Sequence, residues 1–201
     1  MNTAAEDDAA RMFPLVLNVT ALPIMLIGGA GLAPRITALE EHGATVLHIF
    51  AKEAEAGLLA AAGARLQQRW PESSDFREIR PKLVFVSGVD EDLAAGLRAE
   101  AHAVGALVHV QDSVPMCDFH MPARIRRGHL QVTISTDGTV AGLARHIREY
   151  LEAHIFGPEW AERVEEVAAA RRQWRKEGLA LTDLGKAVAD FVGQRGWLKR
   201  R

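Results

Sequence analysis

The stretch "MLIGGAGLAPR", residues 25–35, sets Gly28, Gly29, Ala30 and Gly31 between an apolar run and a helical pattern. This is the order that holds a dinucleotide pyrophosphate. A first glycine makes the turn, a second lets the backbone approach the phosphates, and a third small residue lets helix and strand pack. Gly28 takes the first role and Ala33 the third, but the second falls on Ala30. Its methyl group pushes the phosphates back unless Gly31 lets the loop relax, and a helix starting near Leu32 offers free amides to them. The next apolar run ends in "HIFAKE", without the acidic residue that usually grips ribose hydroxyls. Glu53 lies just beyond, and Lys52 could meet a phosphate instead, so NAD and NADP both stay open. So does a tight turn with no ligand.

The second stretch able to do chemistry is "VHVQDSVPMCDFHMPARIRRGHLQVTISTDG", residues 108–138. Asp112 stands just past an apolar run, where open α/β sheets bind ligands, and a carboxylate there can act as a base. A turn or cap role is the alternative. His109 reads more readily as a packed core histidine than as a ligand. Cys117, Asp118 and His120 have the types but not the spacing of a zinc site, so no metal is expected. Between residues 120 and 150, Arg124, Arg126, Arg127, Arg145 and Arg148 stand against only Asp137 and Glu149. Arginine suits carboxylates through bidentate contacts, so the excess marks either a solvated face or a pocket for a polycarboxylate.

The elements that must position these residues alternate in the βα manner. "FPLVLNV" (13–19) and "PIMLI" (23–27) are short apolar runs split by Thr20 and Ala21. "ATVLHIF" (44–50), "KLVFVSG" (82–88) and "ALVHVQD" (106–112) have the make-up of strands and "ARLQQRW" (64–70) could form one, for four or five strands in all. Helical patterns at 32–43, around "AEAGLLAAAG" and at 90–105 lie between them, with Gly43 and Gly105 as stops and acidic residues opening the last. Alternation of this kind makes a Rossmann-like parallel sheet. After it come the β run "LQVTIST", an Asp137-Gly138 turn, and helical patterns from Thr139 onward, with Pro158 in a first turn and Thr182 as an N-cap. The expected architecture is α/β: residues 1–112 as a nucleotide-binding sheet domain, 113–157 as a small β/helical region, and 158–201 as a helical C-terminal region.

Composition narrows the class. With 201 residues, 48% of them apolar, the chain can bury a substantial core, and its net charge of −2 gives no reason to expect nucleic acid or a membrane surface as partner. Cys117 is the single cysteine, which excludes an internal disulfide and suits a reducing cytoplasm. The first 12 residues, acidic and alanine-rich, read as a loose tail rather than a signal peptide. No apolar stretch approaches the roughly 20 residues of a membrane helix.

Four stretches in order resemble the precorrin-2 dehydrogenase family, the dehydrogenase/ferrochelatase module of siroheme synthases. They are "FPLVLNVTALPIMLIGGAGLAPR", "HGATVLHIFA", "LVFVSGVDEDLAAGLRAEAHAVGALVHVQD" and "CDFHMPARIRRGHLQVTISTDGTVAGLARHIREYLE", spanning roughly residues 13 to 155. The strand-edge aspartate followed by "DFHMP", "LQVTIST" and "LARHIRE" is the most specific part. The resemblance implies NAD-dependent oxidation of precorrin-2 to sirohydrochlorin, with ferrous iron insertion in some members. It also implies a homodimer formed by the region after the sheet domain, which also builds the tetrapyrrole site. Asp112 falls on the family's catalytic aspartate. Gly31 and Leu32 match loop positions whose backbone meets NAD, and Ala51 and Lys52 match those at the end of the second strand. Ser87 completes the cofactor set with Gly28, Gly29 and Ala30. Ser135 and Thr136 match a serine pair beside the tetrapyrrole, where His120, Arg124, Arg127 and Arg145 complete the expected substrate set. The chain departs from the family pattern at Ala30 in "GGA", at Gly88 where a threonine is usual, at His109 where an asparagine is usual, and in "DGTVA" for "GGTSP". These departures suit a relative that binds a tetrapyrrole or nucleotide without turnover; the retained Asp112 suits an active dehydrogenase.

Overall fold

The computed structural model describes residues 12–198, so the acidic tail expected at the N-terminus lies, but for Met12, outside the described residues. The apolar runs form β1 (Ile24–Gly28), β2 (Leu47–Phe50), β3 (Leu66–Gln67), β4 (Leu83–Ser87) and β5 (Leu107–Val110). They make one parallel sheet in the order β3-β2-β1-β4-β5. Every residue of β1 and β4 is buried, as a sheet covered on both faces requires.

Alternation along each strand feeds two cores. Ile24, Leu26 and Phe85 pack with Leu32, Ile36 and Leu39 of α1 (Leu32–Glu41) and Leu58 of α2 (Ala56–Ala62). Met25, Ile27 and Val84 pack with Phe76 of α3 (Ser73–Ile79) and with Ala94 and Leu97 of α4 (Glu91–Ala103). Gly43 takes the left-handed conformation (φ +84°) just past α1, and the Asp90 carboxylate caps α4 by accepting from Leu93 N at 2.8 Å.

The apolar run 13–19 joins no sheet, and Phe13, Leu15 and Val16 are left exposed. The expected strand at 64–70 shrinks to Leu66–Gln67, preceded by a 3-10 turn at Gly63–Arg65. The chain then turns away because Arg69 clamps Asp75 at the start of α3, through contacts of 2.6 and 2.7 Å.

The chain divides after Met121 into two compact units, nine residues later than the sequence-based boundary at Asp112. Segment 113–121 stays with the sheet because Asp118 ties it down. Its carboxylate accepts from Val108 N at 2.8 Å and pairs with His102 (2.7 Å) and Arg98 (3.3 Å). The second unit opens with a hairpin of β6 (Ala123–Arg127) and β7 (Leu130–Ile134), turned by Gly128 at φ +57° and His129. It continues through α5 (Ala141–His154), α6 (Trp160–Lys176) and α7 (Leu181–Gln194), so the C-terminal helices share a unit with the hairpin. Thr182 lies inside α7, whose N-cap is Ala180. No helix among the described residues is long and apolar enough to cross a membrane.

Candidate nucleotide and proton-transfer site

The glycine turn is held open by its neighbours. Gly28 ends β1 at φ +122°, and a Cβ there would lie 1.8 Å from the Ser87 carbonyl oxygen. That same carbonyl accepts from Gly29 N at 3.0 Å. Gly31 caps α1 at φ +84°; a Cβ on it would meet Gln111 Oε1 at 2.5 Å and Ser87 Oγ at 3.1 Å. Left-handed backbone and crowding at these two positions both require glycine. Among the described residues the amides of Ala30, Gly31 and Ala33 have no acceptor, and α1 has no side-chain cap. Free amides at a helix N-terminus are what a pyrophosphate needs, so the loop fits NAD.

Beside this loop lies a cleft of about 480 Å³ between Gly28, Gly29, the segment Lys52 to Glu55, Trp70 and Gly88. Ala51 is buried at the end of β2, and its amide donates to Gln67 O at 3.1 Å, which leaves exposed Lys52 and Glu53 as the polar groups at the rim. Ser87 is the one buried polar side chain among the described residues. Its hydroxyl lies against the Ala30 carbonyl and 2.5 Å from Gln111 Oε1. Gln111 Nε2 in turn donates to Asp112 Oδ2 at 3.4 Å. The chain Ala30, Ser87, Gln111, Asp112 thus runs from the phosphate loop to the expected base. Gln111 and Trp70 were not singled out by residue type; a glutamine next to an aspartate carries no signal until β4 and β5 are paired.

Asp112 is exposed and sits at φ +61°, a left-handed conformation that aspartate tolerates better than most residues. His109 is different. Its Nδ1 meets the Phe119 carbonyl at 3.1 Å, and its ring lies 6.0 Å from Phe85 and 5.6 Å from Phe119. Burial pushes its pKa below 6.5, so it is neutral and packed. Both ring nitrogens of His120 are covered and have no partner among the described residues. Cys117 has Sγ 3.1 Å from Val110 O and 3.2 Å from Ser113 O, and burial raises its pKa. Cys117, Asp118 and His120 do not converge, and no cluster of metal-ligand types occurs among the described residues.

In the second unit most of the arginine excess is neutralised. Arg127 donates to Phe156 O at 3.0 Å and pairs with Glu152 at 3.4 Å. Arg145 pairs with Glu149 at 2.9 Å, and Arg148 pairs with both Glu149 and Glu152. Glu152 stands just beyond the arginine-rich stretch 120–150. Arg124 alone of the expected substrate arginines has no partner among the described residues. Ser135 Oγ accepts from Asp137 N at 3.1 Å and Thr136 Oγ1 from Val140 N at 3.3 Å, so both hydroxyls brace the turn into α5.

A five-stranded Rossmann-like parallel sheet with an open glycine turn defines a dinucleotide-binding protein. The family model NAD_binding_7, described as "Putative NAD(P)-binding", matches residues 15–123, and the chain belongs to that family. The siroheme synthase of Ectopseudomonas mendocina is 34% identical over 72% of this chain and 31% of its own length. Siroheme synthase 1 of Cronobacter sakazakii is 33% identical over 79% of the chain and 34% of its own length, so this chain spans about a third of these relatives. The solved structure of SirC, precorrin-2 dehydrogenase, superposes with a TM-score of 0.68 over 94% of this chain and 93% of that one, at 16% identity. It shares the fold.

Proposed function

We propose that this chain is an NAD-dependent precorrin-2 dehydrogenase acting in siroheme biosynthesis in the cytoplasm. The observation that carries the reading is the run of contacts from Ala30 through Ser87 and Gln111 to Asp112, which ties a carboxylate to the phosphate loop. The names of the relatives support the substrate.

Bound NAD would supply the hydride acceptor; loss of a hydride and a proton together converts precorrin-2 to sirohydrochlorin, and Asp112 takes the proton as general base. The amides of Ala30, Gly31 and Ala33 would hold the pyrophosphate, with Ser87 fixing the loop through Ala30, and Lys52 and Glu53 would stand beside the ribose. Arg124 is the cation left to meet a substrate carboxylate, with Arg127, Arg145, Ser135, Thr136 and His120 as further contacts that must first give up local bonds or cover. Ferrous iron insertion draws on the same Asp112, since pyrrole protons leave as the metal enters.

The working form is a homodimer through the unit after Met121. Leu143 and Ile147, four residues apart on an apolar stripe of α5, and Ile155 just past its end are 49%, 36% and 40% exposed in the single chain, and Tyr150 of α5 is 58% exposed. Purified protein is expected to bind NAD and to form NADH on addition of precorrin-2. Binding without turnover would make it a nucleotide-binding relative instead.

A further inference from the structure

We infer that Trp70 is the platform on which the adenine ring of the dinucleotide stacks. The inference rests on the nucleotide-binding reading above and adds a residue to it. In this fold the pyrophosphate sits at the first glycine turn and the adenosine ribose at the end of the second strand. The adenosine half therefore runs from β1 toward β2 and β3, away from β4, β5 and Asp112. The cleft reaches that side: besides Gly28, Gly29 and Gly88 its lining takes in Lys52, Glu53 and Trp70, which lies just beyond β3. Trp70 is its one aromatic lining residue.

The residue is anchored through both its side chain and its backbone. Trp70 is half-buried and packs against the cluster that contains Phe50 and Phe76. Its carbonyl accepts from Arg69 Nη1 at 3.0 Å, and Arg69 is itself fixed by two contacts to Asp75 and stacked 5.2 Å from the Phe50 ring centre. The Arg69 hydrogen bonds hold the Asp75 carboxyl below its usual range, so the clamp stays charged at neutral pH. Trp70 thus packs against the core and also lines the cleft. A planar aromatic wall suits a purine, because stacking on an aromatic ring favours any base and needs no hydrogen-bond code. Among the described residues the indole N–H has no acceptor, which leaves it available to the ligand.

The test compares Trp70→Phe with Trp70→Leu in the full-length chain. Both keep the apolar contact with the core, but only phenylalanine keeps an aromatic face. Binding of NADH and of ADP-ribose, which lacks the nicotinamide, is measured by calorimetry, with thermal melting to show that both variants fold. Trp70→Leu is expected to weaken both ligands equally, by roughly tenfold or more, while Trp70→Phe stays within about threefold of the parent. Trp70 is also the one tryptophan outside the 160–197 region, so energy transfer to bound NADH should fall sharply in the phenylalanine variant. If Trp70→Leu binds ADP-ribose as tightly as Trp70→Phe, Trp70 is only a core residue and the inference fails while the nucleotide reading stands. If the parent protein binds neither ligand, both fall together.

Discussion

The carbonyl oxygen of Ser87 occupies the space that a side chain on Gly28 would need: a Cβ there would stand 1.8 Å from it. The two residues are also opposite each other in the β1–β4 register, and the same carbonyl accepts from Gly29 N. The turn is therefore braced by the neighbouring strand. Gly28→Ala should force β1 and β4 apart and cost about 3 kcal/mol or more of stability, with loss of nucleotide binding. A melting temperature close to that of the parent would show that the strands can part cheaply.

Ala30 occupies the position where glycine would let the phosphates come closest. Gly88 keeps its amide clear on the other side, since a Cβ at that position would stand 3.0 Å from Ala30 N. Ala30→Gly removes the methyl without disturbing Ser87, which touches only the Ala30 carbonyl. NAD affinity should rise by roughly three- to tenfold. Titration showing unchanged or weaker binding would mean that the methyl does not limit the loop.

Asp112 is better tested with asparagine than with alanine. Asparagine tolerates the left-handed backbone at φ +61° and keeps the size of the side chain, so only the proton acceptor is lost. Turnover of precorrin-2 should fall by about 100-fold or more with little change in NAD affinity. A variant that keeps most of its NADH production removes Asp112 from the mechanism.

Stability should decline on mild acidification. His109 and His48 have pKa values held below 6.5 by burial, so the unfolded chain binds protons that the folded chain refuses. Their contribution is complete above pH 6.5 and is lost as pH falls below it. His109→Asn, the residue usual in the resembling family, should flatten part of that slope and leave the share of His48. Denaturant melts from neutral to mildly acidic pH in both proteins would reveal an unaltered slope if His109 took no part.

The α5 stripe should hold the dimer. Ile147→Asp places a charge on an exposed apolar surface, so it should cost the single chain little while breaking association. Light scattering at micromolar concentration should show dimer for the parent and monomer for the variant. A parent that runs as a monomer would remove the stripe from any interface.

Much of the parallel sheet was legible because its signals are local. Apolar runs too short for helices, glycine stops such as Gly43 and Gly105, and the acidic opening at Asp90 each declare an element within a few residues. The glycine turn was legible for the same reason, as was Asp112 at the end of its strand. Tertiary structure decided the rest. The apolar run 13–19 stays outside the sheet, with Phe13, Leu15 and Val16 exposed. The arginine excess left a solvated face and a pocket both open; α5 pairs Arg145 and Arg148 locally with Glu149 and Glu152, and only the packing of α5 on the hairpin brings Arg127 to Glu152. Gln111 and Trp70 gained meaning only from strand order, which sets one between Ser87 and Asp112 and the other in the lining of the cleft. Local sequence can state what a residue prefers; which neighbour it meets is set by pairings between strands far apart in the chain, and no short stretch records those.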